Sequence, residues 1–154
     1  MAEQNDLYSI DDIIAFALDK EQEAHDFYVY WAEKINHKEI TEVFLEFAQQ
    51  ELKHKEKIKN ISLGESFNAP RQKVPDLKIA DYLVEVKPTE DTNYQDALII
   101  AMKREKESYN LYQDLAKLSI TENTRNLFLT LAQEEANHKL KIETLYDQYI
   151  LQED

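Results

Sequence analysis

The chain repeats itself. Displacing it by 84 residues, with no gap, sets Ala17 on Ala101, Glu21 on Glu105, Glu23 on Glu107, Tyr28 on Tyr112 and Ala32 on Ala116. The same shift sets Phe44 on Phe128, Ala48 on Ala132, Gln49 on Gln133, Glu51 on Glu135, His54 on His138 and Lys55 on Lys139. Self-similarity at a fixed spacing marks one supersecondary unit used twice. Coincident alanines and lysines are common in helical proteins, but coincident glutamates and histidines are not. A fold for this chain has to accommodate two like halves, and its chemistry is expected to draw on both.

Each half reads as a helical hairpin. Apolar residues recur with a helical period at Ile13, Ile14, Ala17, Leu18, Ala24, Phe27, Tyr28, Trp31, Ala32 and Ile35. Ser9 is expected to cap this helix, with Asp12 three residues on and Tyr8 stapled to Ile13. Polar Asn36-His37-Lys38 breaks the pattern before a second helix, which is expected to end with Gly64 as a left-handed cap. After Thr92-Asn93 the pattern resumes, breaks again between Ser119 and Asn123, and runs on through Leu127, Phe128, Leu131, Leu140 and Leu145. The expected helices are about 9–36, 38–63, 93–119 and 122–151. The crossover, about 64–92, holds Pro70, Pro75 and Pro88 and one short helix around Leu77–Leu83. One glycine and three prolines in 154 residues leave little to interrupt long helices, and the length suits a single domain. The expected fold is all-α: a four-helix bundle of two hairpins whose long connection lets the second hairpin run antiparallel to the first.

Composition limits the chemistry. There is no cysteine, which excludes disulfides, thiolate nucleophiles and iron–sulfur clusters, so any metal must be held by carboxylates, imidazoles or water. That donor set suits iron or manganese. A net charge of −13 argues against nucleic acid or an anionic membrane as partner. The longest apolar stretch, Ala97 to Met102, is too short to span a bilayer, no signal peptide is apparent, and a cytoplasmic setting is expected.

Three chemistry-bearing positions recur at fixed spacing in each half: Glu21 with Glu51-x-x-His54, and Glu105 with Glu135-x-x-His138. Residues three apart on a helix share a face, so each Glu-x-x-His pair presents an oxygen and a nitrogen to one point. With turns near 36–37 and 120–121, Glu21 and Glu51 lie 15 and 14 residues from their turn, as do Glu105 and Glu135. At about 1.5 Å per residue each pair stands roughly 21–22 Å from its turn, facing across its hairpin. Packing the hairpins together gathers four carboxylates and two imidazoles. Such a group resists burial unless protons or cations neutralise it, and two divalent ions offset four negative charges. A Glu from each of two helices plus a Glu-x-x-His from each of the other two is the ligand set of di-iron and di-manganese carboxylate bundles. Two iron ions are expected, with manganese or a mixed pair accepting the same ligands.

Glu21-Gln22-Glu23-Ala24 with Tyr28, and Glu105-Lys106-Glu107-Ser108 with Tyr112, resemble the first and third helices of the rubrerythrins, a branch of the ferritin-like superfamily. The stretches Phe47 to His54 and Leu131 to His138 resemble that family's second and fourth, so the likeness covers nearly the whole chain. The resemblance implies a ferritin-like bundle in which Glu51 and Glu135 bridge two metals, Glu21 and Glu105 are terminal carboxylates, and His54 and His138 bind one metal each. Tyr28 and Tyr112, seven residues after the upstream glutamates, return to nearly the same helix face and are expected to donate to the ligands. Two departures stand out. Rubrerythrins carry a rubredoxin-like domain with a four-cysteine iron site, and this chain has no cysteine. They also place an extra Glu one turn after the third-helix ligand, where this chain has Ser108. The remaining six-ligand set also resembles a bacterioferritin ferroxidase centre.

The resemblance implies reduction of hydrogen peroxide or dioxygen at a diferrous centre; without a rubredoxin domain the electrons have to come from a separate donor protein or from ferrous ion itself, and a homodimer is expected. Ferroxidase activity with iron sequestration is the alternative, and a non-catalytic bundle is the third reading. His25 is a turn from Glu21, but its counterpart is Tyr109, which sets it outside the expected ligand set. His37 is expected to be a solvated turn residue, Glu23 and Glu107 surface groups, and Arg71-Gln72-Lys73 too slight for a phosphate site.

Overall fold

A computed structural model describes residues 8–62, 73–74, 82 and 93–150. Four helices carry the fold: α1 (Ile10–Lys34), α2 (Lys38–Ser62), α3 (Tyr94–Leu118) and α4 (Glu122–Tyr149). Their described ends lie within two residues of those expected from periodicity, as frayed termini do. No helix among the described residues is long and apolar enough to cross a membrane. Among the described residues, the departure from an all-α chain is a two-residue antiparallel pairing of β1 (Tyr8–Ser9) with β2 (Lys73–Val74). Its backbone pairing occupies the residues expected to cap and staple α1. The expected Gly64 cap, the triplet's Arg71 and Gln72, and all of the expected crossover helix but Tyr82 fall outside the described residues.

Local chemistry explains the other boundaries. Asn93 caps α3 by accepting from the Asp96 amide at 2.9 Å, and Thr121 caps α4 by accepting from the Thr124 amide at 3.2 Å. His37, expected as a solvated turn residue, lies in the turn and is half-buried. Its Nδ1 accepts from the Ile40 amide at 3.3 Å and its ring lies edge-on to Tyr149, 4.1 Å between centroids. It serves the α2 N-terminus as a capping acceptor.

Within each hairpin α1 packs on α2 and α3 on α4; between hairpins α1 meets α3 and α2 meets α4. The core falls into two clusters. One joins Phe27, Tyr28, Trp31, Ile40, Phe44 and Phe47 to Leu98, Ala101, Ile142 and Leu145. The other joins Ile13, Ala17 and Ile58 to Leu111, Tyr112, Leu115, Phe128 and Leu131. The α1–α2 turn thus sits beside the start of α3 and the end of α4, so the hairpins are antiparallel. Twenty-five residues of helix are about 37 Å long, which sets the end of α2 and the start of α3 at opposite ends of the bundle. Between these helices, Tyr82 is buried in the second cluster. The Tyr82 hydroxyl donates to Asp114 Oδ2 at 2.7 Å, and its carbonyl accepts from Lys20 Nζ at 3.1 Å. Because Asp114 is partly solvated, Tyr82→Phe is expected to cost only about 1 kcal/mol in denaturant unfolding.

A candidate metal centre between the two cores

Between the clusters lies a layer of a different kind. Glu21, Glu51, Glu105 and Glu135 are each no more than 2% exposed, and His54 and His138 no more than 4%. One carboxylate comes from each helix and one imidazole from each of α2 and α4. All six residues singled out by the repeat therefore meet in one place, because each lies at the same height on its helix.

Two overlapping groups form within the layer. Glu21, Glu51, His54 and Glu135 make one, and Glu51, Glu105, Glu135 and His138 the other; the ligand atoms of each lie within 4.8 Å of one another. Glu51 and Glu135 belong to both. His54 Nδ1 is 3.3 Å from Glu135 Oε1, 3.4 Å from Glu51 Oε1 and 3.6 Å from Glu21 Oε2. His138 Nδ1 is 3.5 Å from Glu51 Oε1, 3.5 Å from Glu105 Oε2 and 3.6 Å from Glu135 Oε1. These contacts are too long for good hydrogen bonds, and Glu21 Oε2, Glu51 Oε1, Glu105 Oε2, both Glu135 oxygens and both Nδ1 atoms are buried with no hydrogen-bond partner. Bonds of about 2.1 Å to a central ion separate neighbouring ligand atoms by roughly 3.0–3.4 Å. The inward-facing donors are close to that spacing, so the residues fit a pair of ions.

Further side chains hold the layer in place. Tyr28 donates to Glu105 Oε1 at 2.5 Å, and Tyr112 donates to Glu21 Oε1. Each tyrosine thus reaches from its own hairpin to a glutamate of the other, Tyr28 to Glu105 on α3 and Tyr112 to Glu21 on α1. Burial, together with the neighbouring carboxylates, pushes both phenols well above their ordinary range and keeps them protonated donors. Three contributors are not apparent from the Glu and His pattern alone. Gln50 Oε1 pairs with His138 Nε2, the Phe47 ring stacks on His138 with centroids 3.9 Å apart, and Glu134 Oε1 stands 3.5 Å from His54 Nε2, which is buried without a hydrogen-bond partner. Gln50 and Glu134 are themselves 84 residues apart, so the repeat holds the signal that finds them. His25 pairs with Asp26 at 3.0 Å and is in neither ligand group. Glu23 is exposed, Glu107 is half-buried and accepts from Asn110, and Ser108 is buried.

Without metal, protons take up part of the charge. Burial and then the charges of Glu105 and Glu21 raise Glu135 to about 7, against the pull of His54. Burial, Glu135 and Glu21 push Glu51 well above the usual carboxylate range. Burial alone would lower His54, but its contacts with Glu135 and Glu21 outweigh that and raise it to about 11. Every one of these folded-state values lies above its unfolded counterpart. The stability they contribute is present in full below the unfolded values and is lost as pH climbs, through about 7 for Glu135 and about 11 for His54. The metal-free protein is therefore expected to melt at a lower temperature at pH 8.5 than at pH 5.5. Metal binding displaces the same protons, so affinity rises with pH over that window, and a titration in weak buffer should acidify the solution.

The crystal structure, at 2.30 Å resolution, of a protein described as a ferritin-like diiron-carboxylate protein from Thermotoga maritima is similar to this chain. The match covers 90% of this chain and 95% of that one, at 25% identity and a TM-score of 0.76. A search of curated proteins finds no significant match. The family model for rubrerythrin matches residues 12–146, from the first turn of α1 to the last turn of α4. That span takes in both hairpins and the whole buried layer, and the chain belongs to the rubrerythrin family.

Proposed function

We propose that the protein is a di-iron redox enzyme that reduces hydrogen peroxide, or dioxygen as a second oxidant. The observation that carries this reading is the pair of four-ligand groups sharing Glu51 and Glu135. In this assignment Glu51 and Glu135 hold both metals, Glu21 and His54 complete one position, and Glu105 and His138 complete the other. A pair of ferrous ions supplies two electrons at adjacent points, the number that cleavage of an O–O bond consumes. The chain's own residues do the rest. Tyr28 and Tyr112 fix the terminal carboxylates through phenolic protons, and the aromatic and aliphatic clusters on either side keep bulk water from the layer. The residues present supply no cysteine for a rubredoxin-type iron, so the reading includes a separate electron-donor protein. It also includes a cytoplasmic setting and a homodimer. A manganese or mixed pair satisfies the same donors.

Anaerobic titration of the metal-free chain with ferrous ion tests the proposal. A break at two ions per chain, followed by ferric charge-transfer absorption on adding peroxide and by turnover with a reductase, is the expected result. Uptake that continues far past two ions in air would replace it with ferroxidase and iron sequestration. That alternative draws support from Ser108, which leaves six ligands rather than seven, and it requires an assembly much larger than two chains.

A further inference from the structure

The two metal positions are built from equivalent residues, but their surroundings are not equivalent. His138 turns its outer nitrogen to the neutral amide of Gln50 and lies against the Phe47 ring. The counterparts of those residues in the repeat are Glu134 and Leu131. On that side His54 Nε2 is buried with no hydrogen-bond partner, the charge nearest it is the Glu134 carboxylate with Oε1 at 3.5 Å, and the position equivalent to Phe47 has no aromatic ring. We propose that Glu134 and Gln50 act as positioning residues that make the two positions unequal, so that the one containing His54 fills first and holds its metal more tightly. This inference rests on the di-metal reading above.

The argument is electrostatic. A histidine that binds metal through Nδ1 has its basicity set by whatever faces Nε2–H, and an anion there strengthens the donor more than an amide does. Partners of this kind change metal affinity by about 10–100-fold. Glu134 is 38% exposed, so water screens part of its charge and the lower end, about tenfold, is expected. The four carboxylates do not offset this difference, because Glu51 and Glu135 are shared and Glu21 and Glu105 each accept from a tyrosine.

Anaerobic cobalt(II) titration of the full chain, followed by visible absorption, is the test, with anomalous diffraction from crystals grown at one equivalent. The expected result is two resolved steps and anomalous density at the His54 position. Glu134→Gln should weaken the first step about tenfold and leave the second unchanged. Gln50→Glu should strengthen the second step and bring the two together, an outcome that a purely structural role for either residue does not produce. Two ions entering in one unresolved step, density first at the His138 position, or an isotherm indifferent to both substitutions would overturn the asymmetry while leaving the di-metal reading intact. Failure of cobalt to bind would remove both.

Discussion

Ferrous or manganous ion, added without oxygen to a free concentration about a thousandfold over its Kd, is expected to raise the unfolding temperature of the metal-free protein by roughly 15–30 °C. A ligand that binds only the folded state stabilises it by about 4 kcal/mol per site at a thousandfold excess over Kd, or about 8 kcal/mol for two. A chain of this size shifts by about 2–4 °C for each kcal/mol. The buried layer is the reason to expect effects at that level: its oxygens and nitrogens lose water on folding, and most of those facing inward have no hydrogen bond in return. Differential scanning calorimetry with and without metal checks it, and an unmoved midpoint would count against any metal site in the layer.

The second expectation is the reverse of the usual outcome of core mutation. Replacing both shared carboxylates, Glu51→Leu with Glu135→Leu, should make the metal-free protein more stable than its parent by about 1–4 kcal/mol. Glu and Leu are similar in volume, so no large cavity is left. The substitution leaves Glu21 and Glu105 facing His54 and His138, two carboxylates and two imidazoles that balance as ion pairs. Meanwhile the metal-dependent rise in melting temperature should vanish. Denaturant unfolding of both metal-free proteins measures the first effect, and repeating the calorimetry with metal measures the second. A double variant weaker than its parent would mean that the carboxylates stabilise the fold in their own right.

Sequence patterns locate some of these features better than others. The helices are legible because apolar periodicity and scarce glycine and proline speak with one voice over twenty-five residues or more. The six clustered side chains are legible because helical rise converts equal distance from a turn into equal height. The tyrosines are expected near the layer, but that each one crosses to the other hairpin's glutamate follows only from how the hairpins dock. Gln50 and Glu134 are harder still. Each sits one residue before a glutamate of the layer, about 100° round the helix, and faces a histidine only because α2 and α4 are neighbours. His37 as a capping acceptor depends on the turn's exact backbone course, and the β1–β2 pairing joins segments too short to show a pattern.

The crossing tyrosine bonds also bear on heredity. Neither hairpin alone completes the layer, yet two copies of one hairpin, docked about a two-fold axis, supply every kind of group in it. In such an assembly of identical halves, whatever faces one histidine must face the other. Joining the halves in one polypeptide removes that obligation, and position 50 then becomes free to differ from position 134, as glutamine here does from glutamate. The long crossover is thus more than a tether. It is what permits two metal positions of common origin to take on separate characters.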